Sequence, residues 1–474
     1  MSFNACDMTN LLYEYGINII VFSSDSADTA LYTAVKKDRR FKSFNCVDER
    51  SAAYFAMGIS IEKKQPVAVA CKEHMNAYNF FPAATESYYR NIPLLMLVEE
   101  SENDNNEIIC NSFRNVTSSS VRLPCCDNII DNNVVFQQAL HALTLRDNYP
   151  VFISYKSGGP VCQKIGLKKI KIIDSFNEEE IAVSLIEKLQ DMKVIVLGTD
   201  YRDNQLLSEF IDTFNCIHIS GEQSKISYDI SEVDLIISFE EINNCTCIPK
   251  RHWHISAEPY FWDRWGKLEY VWTLTPHDFM RFCIDNKHTK EENLVSNKCE
   301  KVTISDLSTD AIKGLSEQLY SILELLSPDI VQTSCRWLES FINNVRWNNC
   351  AKIYANSSLL SNGAISTFLG EAFNTNKEAL LITDDVAFFK DINSLMTRNV
   401  SGNIHILILD KAEAASIYYS NYDEQNCKQH LAYEATIKSA GFRYYEAENI
   451  DKIPEVIEDF CKKSYIASVL RVCI

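Results

Sequence analysis

Asp48-Glu49-Arg50-Ser51-Ala52-Ala53-Tyr54-Phe55-Ala56-Met57-Gly58 is the stretch on which the reading of this chain turns. Its acidic start followed by small and aromatic residues reads as the opening of a helix, where the helix dipole favours a carboxylate such as Glu49. Outward from it, residues 19–22 on one side and 67–71, 94–98 and 151–155 on the other are short, continuously apolar runs. Runs of that kind read as strands buried on both faces, and helical stretches lie between them. The alternation predicts an α/β sheet covered by helices on both sides.

The same rhythm recurs twice. Residues 194–197, 216–219 and 235–239 read as strands of a second, smaller unit; residues 330–333, 352–354, 379–382 and 404–409 read as strands of a third, followed by a helical C-terminal region. Between them, residues 288–300 are polar, without apolar periodicity, and read as a linker. At roughly 100 to 200 residues per domain, 474 residues suit three domains. The expected fold is α/β, three consecutive domains with mainly parallel sheets flanked by helices, at 1–165, 166–290 and 301–474.

Composition removes several classes of function. A formal charge of -18 opposes a nucleic-acid partner, because phosphate binding depends on Lys and Arg displacing counterions. No apolar run approaches the ~20 residues that span a bilayer. Residues 1–10 lack the basic and apolar regions of a signal peptide, so the expected location is cytoplasmic. The 17 cysteines are scattered, and Cys71, Cys216 and Cys461 sit in apolar runs, which reads as reduced core thiols. Neither Cys125-Cys126 nor Cys245-Thr-Cys247 has a second pair at zinc-ribbon spacing. A GxGxxG turn after a strand is absent, which sets aside a nucleotide-binding oxidoreductase.

The Asp48 to Gly58 stretch resembles the DERSAAFFALG signature of the menaquinone-pathway 2-succinyl-5-enolpyruvyl-6-hydroxy-3-cyclohexene-1-carboxylate synthase family, within the thiamine diphosphate-dependent enzymes. The likeness continues through Pro66-Val67-Ala68-Val69, Asn79-Phe80-Phe81-Pro82-Ala83 and Ile92-Pro93-Leu94-Leu95. In the third unit, residues 361–370, SNGAISTFLG, resemble the family's NGIDGxVSTALG segment, and residues 385–393, DVAFFKDIN, resemble GDLSFxHDLN without its leading glycine. The resemblance implies a pyrimidine-binding domain, a central Rossmann-like domain and a diphosphate-binding domain.

It also implies a chemistry. In the family a glutamic acid shares a proton with the aminopyrimidine ring so that the bound cofactor can form its nucleophile; the protein positions and tunes. Glu49 stands at that position. Asn362, Gly363 and Phe388 fall at cofactor-contacting positions. The diphosphate is neutralised by Mg2+ held by an Asp, an Asn about 25 to 30 residues later and a backbone carbonyl. Asp385 fits the first ligand, but Asp384 replaces the preceding glycine, and Asp410-Lys411-Ala412-Glu413 replaces the NNNGG-like run, leaving Asp410 and Glu413 as substitute oxygen ligands.

The substrate loops depart further. The arginine of the SPGSRSTPL loop is Ala27 here, which removes a bidentate carboxylate clamp. His74 stands in the loop otherwise reading CTSGTAxAN, as an acid-base candidate or as surface decoration. Arg336 falls in the SSSMPIRD-like turn, as an anion contact or a local ion pair. Trp253, His254, Tyr260, Phe261, Trp262 and Trp265 read as an interface cluster. The implied activity is decarboxylation of a 2-oxo acid with transfer to an acceptor, on substrates other than the menaquinone enzyme's. The alternative is a degenerate member that has lost thiamine diphosphate and serves as a binding or scaffold subunit. Either way the family's active site, shared between subunits, implies a homodimer or homotetramer.

Overall fold

The computed structural model describes residues 4–100, 107–123, 129–144, 148–156, 185–186, 188–189, 191–198, 204–219, 233–240, 248–256, 265, 267–272, 274–286, 310–334, 352–355, 362–373, 375–397, 400–411 and 432–474. The first sheet contains β1 (Ile19–Phe22), β2 (Lys42–Asn45), β3 (Val67–Lys72), β4 (Leu94–Glu100), β5 (Ser119–Arg122) and β6 (Val151–Lys156), with helices α1 (Ala5–Glu14), α2 (Ala30–Lys37), α3 (Glu49–Lys63), α4 (His74–Ala77), α5 (Phe81–Tyr89), α6 (Glu107–Phe113) and α7 (Ile129–Thr144). The second contains β7 (Val194–Leu197), β8 (Ile217–Ile219), β9 (Val233–Ser238), β10 (Pro249–Ile255) and β11 (Leu268–Trp272), with α8 (Asn204–Phe214) and α9 (Pro276–Asp285). The third contains β12 (Ile330–Thr333), β13 (Lys352–Ala355), β14 (Ala379–Asp384), β15 (Ile404–Asp410), β16 (Arg443–Ala447) and β17 (Ser468–Cys473), with α10 (Asp310–Leu326), α11 (Ala364–Ala372), α12 (Asp385–Lys390), α13 (Tyr433–Ser439) and α14 (Ile453–Cys461).

Every strand pairing in the three sheets is parallel. The strand orders are β2-β1-β3-β4-β6-β5, β11-β10-β9-β7-β8 and β13-β12-β14-β15-β17-β16. The α/β architecture is therefore as expected, because parallel strands need crossover helices that bury both faces of the sheet. Strands that the apolar pattern missed include the polar edges β2, β5 and β16, which have a neighbour on one side only. The C-terminal region is corrected as well: it is not simply helical but ends in β17, an inner strand between β15 and β16.

The chain divides into two compact units, Met1–Ile170 with Ile304–Ile474 and Lys171–Thr303. In the first unit two six-stranded sheets share one core, centred on α3 and α11, which pack against each other. Nearly every residue of α3 is buried, as expected for a helix enclosed on all sides. Asp48 caps its start by accepting a hydrogen bond from the Ser51 amide at 2.9 Å.

The smaller unit has its own core, in which Trp253 is buried against Tyr270 and Trp272. Trp253 thus packs inside this domain rather than at an interface. His252 and His254 both face the Ser238 hydroxyl at 2.8 Å. Residues 260–262 and the linker at 288–300 lie outside the described residues, as do Cys125, Cys126, Cys245 and Cys247. Cys71, Cys216 and Cys461 are free thiols, whereas Cys6 is disulfide-bonded, against the expectation of a fully reduced chain. Among the described residues no helix is long and apolar enough to cross a membrane.

Candidate active site

Glu49 is the first residue of α3, 8% exposed, and its Oε1 has no hydrogen-bond partner. Burial pushes its carboxyl above the usual range; a hydrogen bond from Ser23 opposes the shift, and the nearby charges of Asp25 and Asp48 add to it. Ser23 precedes the Ser24–Asp28 turn and Asp25 lies within it, and Ser26 ties that turn to β3 by donating to the Ala70 carbonyl at 2.8 Å. A carboxyl held above its usual range, with one unengaged oxygen, can share a proton with a ring nitrogen placed beside it.

The next residue fastens the two sheets. Arg50 donates to the Lys390 carbonyl at 2.7 Å and lies 3.8 Å from Asp391. Asp391 is fully buried and accepts hydrogen bonds from the Ser366 amide at 2.6 Å and from the Ser366 and Ser394 hydroxyls at 2.8 Å. Asn393 donates to Asp48, which closes the network onto the α3 cap.

The other expected site residues lie at the ends of β14 and β15, where Asp384 and Leu409 are register partners. Asp384 is the N-cap of α12 and accepts from the Ala387 amide at 2.7 Å, so the residue that replaces the family's glycine is spent on holding a helix start. Asp385 follows it and is fully buried. Asp410 ends β15 and receives Arg471, whose Nε and Nη2 both reach Asp410 Oδ2, at 2.7 and 2.6 Å. The carboxylate of Asp410, expected as a metal ligand, is thus engaged by a guanidinium.

His74 is also not surface decoration. It begins the one-turn helix α4, is 4% exposed, and its Nε2 lies 2.9 Å from the Ser154 hydroxyl and 3.8 Å from Glu100. Ser154 donates to Glu100 at 2.6 Å, and Arg122 grips the same carboxylate at 2.6 and 2.7 Å. Phe388, expected at a cofactor-contacting position, is fully buried and stacked 5.9 Å from Tyr433. Gly363 is a packing position, since a Cβ there would come 2.1 Å from Tyr54 Cγ. Asn362 is half-buried beside it. Arg336 and Glu413 lie outside the described residues.

Residues 5–121 match the family model of the thiamine pyrophosphate enzyme, N-terminal TPP binding domain. The chain is 22% identical to the 2-succinyl-5-enolpyruvyl-6-hydroxy-3-cyclohexene-1-carboxylate synthase of Phocaeicola vulgatus, over 96% of this chain and 92% of that protein. Against the same synthase of Bacteroides thetaiotaomicron it is 21% identical, covering 96% and 93%. Two solved structures share its fold. The benzoylformate decarboxylase of Polynucleobacter necessarius aligns at a TM-score of 0.71 and 13% identity over 99% of this chain and 98% of that one. The thiamine diphosphate-dependent 4-hydroxybenzoylformate decarboxylase of Rhodococcus jostii aligns at 0.73 and 12% over 99% of both. The fold is that of the thiamine diphosphate-dependent enzymes.

Against the thiamine diphosphate fold, the two groups of expected site residues differ in how well they suit the cofactor. Glu49, with its orphaned buried oxygen, suits the aminopyrimidine end. The other end does not suit Mg2+: Asp384 is a helix cap, Asp410 is paired with Arg471, and no group of three or more His, Cys, Asp or Glu side chains able to hold a metal occurs among the described residues. Arg471 escaped the sequence reading. Its signal was a lone arginine in the otherwise apolar run 469–473, a place where a charge needs a buried partner.

Proposed function

We propose that this chain is a thiamine diphosphate-dependent enzyme that decarboxylates a 2-oxo acid and passes the remaining acyl group to an acceptor. The observation that carries this reading is Glu49: buried at the start of α3, with a carboxyl raised above its usual range and one oxygen unengaged. In that role Glu49 holds the proton that the aminopyrimidine ring requires, and Ser23 orients the carboxyl. The cofactor, when bound, supplies the carbon nucleophile. Ala27 in place of the clamp arginine supports substrates that differ from those of the synthase relatives. We further read the enzyme as a cytoplasmic homodimer or homotetramer whose partners are small molecules.

A second reading, a family member that has lost the cofactor and acts as a binding or scaffold subunit, is favoured by one observation, the capture of Asp410 by Arg471.

Calorimetric titration of the wild type and Glu49→Gln with thiamine diphosphate, with and without Mg2+, separates the two. Micromolar binding, with hydrogen exchange at the thiazolium carbon that Glu49→Gln loses, supports the enzyme and justifies a screen of 2-oxo acids. A folded protein that takes up no cofactor at millimolar concentration overturns it in favour of the second reading.

A further inference from the structure

We propose that Arg471 stands in the place of the divalent cation in this chain, as the permanent charge partner of Asp410, and that no metal ion is held at the ends of β14 and β15. Strand pairing brings Arg471 there. β17 lies between β15 and β16, with Arg471 opposite Ile408 on one side and Glu446 on the other. The alternation of side chains along β15 puts Asp410 on the same face as Ile406 and Ile408, the face of the shared core that also holds Tyr433.

Arg471 is therefore enclosed. Two of its nitrogens reach Asp410, Nη1 reaches Glu446 at 2.6 Å, and the guanidinium lies over the Tyr433 ring at 4.5 Å. A guanidinium keeps its proton throughout the physiological range, so it cannot yield its place by neutralising, as a lysine can. A divalent ion at Asp410 would have to displace that fixed charge or sit beside it and share one carboxylate. Of the two acids at the end of β14, Asp384 is spent on the Ala387 amide, and Asp385, the first residue of α12, is fully buried.

The charges point the same way. Asp410 and Glu446 bring two negative charges against one positive, so the cluster has no surplus cation to offer a diphosphate either. The proposal rests on the reading above only for the location of the site, and it departs from the cofactor chemistry of that fold at this end.

The test uses the full-length chain and Mn2+ as the probe, with free Mn2+ read by electron paramagnetic resonance. The wild type is expected to leave as much free Mn2+ as Asp385→Asn through the millimolar range. Arg471→Gln, which frees Asp410, is expected to take up Mn2+ at least about tenfold more tightly than the wild type. Micromolar uptake of one ion per wild-type chain that Asp385→Asn abolishes overturns the proposal, and so does a folded Arg471→Gln with no gain. If Arg471→Gln does not fold, the comparison of wild type with Asp385→Asn decides alone. Thiamine diphosphate titration in the presence of a chelator keeps the two readings apart. Binding that requires the metal sinks this proposal and leaves the 2-oxo acid enzyme standing; absence of binding with or without metal, alongside no Mn2+ uptake, does the reverse.

Discussion

Gly58 and Gly370 meet where α3 crosses α11: a Cβ on Gly370 would lie 3.1 Å from the Gly58 Cα and 2.2 Å from the Phe55 carbonyl oxygen. A Cβ on Gly58 would lie 2.0 Å from the Thr367 carbonyl oxygen. Backbone, unlike the tip of a long side chain, cannot step aside. Gly58→Ala and Gly370→Ala should each destabilise the first unit by about 3 kcal/mol, since overpacking at a backbone contact forces the two helices apart. Urea midpoints of each variant against the wild type check this; a change within experimental error would mean that the helices do not approach so closely.

The Asp391 carboxyl, raised by burial to about 6 although the Ser366 and Ser394 hydrogen bonds and Arg50 pull it down, ties stability to pH. Its folded value exceeds its unfolded one, so between the two the native state binds more protons. The stabilisation it contributes is present below about pH 4 and is lost as pH rises through about 6, a change on the order of 3 kcal/mol. The wild type should therefore lose stability over that window relative to Asp391→Asn, in urea titrations at stepped pH. Parallel profiles would refute the assignment.

Glu49 has the same sign. Its raised carboxyl favours the protonated native state, so its contribution is lost as pH rises through its folded value. Glu49→Gln, neutral at every pH, should match the wild type in acid and become the more stable of the two at neutral pH, while any cofactor-dependent exchange falls by about 100-fold or more. Loss of stability at neutral pH in the variant would point to a structural role for the carboxylate.

Glu100 tests the opposite shift. Burial alone would raise its carboxyl, but the Arg122 and Ser154 hydrogen bonds outweigh that and hold it below the usual range. Arg122→Gln leaves a buried carboxylate without its cation and should cost about 3 kcal/mol at neutral pH. The cost should shrink in acid, where Glu100 takes up a proton. A penalty that does not vary with pH would show that Arg122 acts through packing.

Much of the fold could be read ahead of the structure because strands buried on both faces are dominated by apolar residues; β1 and β7, reading IIVF and VIVL, are examples. The edge strands β2 and β16, reading KSFN and RYYEA, carry the polar residues that an exposed flank permits and so look like loops. At the candidate site, Glu49 was legible because a local motif surrounds it. The partners of Asp410 and Asp391 were not, since Arg471 lies 61 residues from the former and Arg50 reaches the latter across the core from the first sheet. Which charges meet is decided by strand order, and strand order is not written in any short stretch of sequence.

Counting strands from the start of each, the first and third sheets have the same order, 2-1-3-4-6-5. Laid one on the other, they bring α3 onto α11, because each of these helices links the second strand to the third. The helices that cross at Gly58 and Gly370 are thus topological counterparts, so the joint between the two sheets pairs equivalent elements of each. The two counterparts differ at their starts: one central helix begins with an acid, Glu49 behind Asp48, and the other with Ala364 behind Gly363.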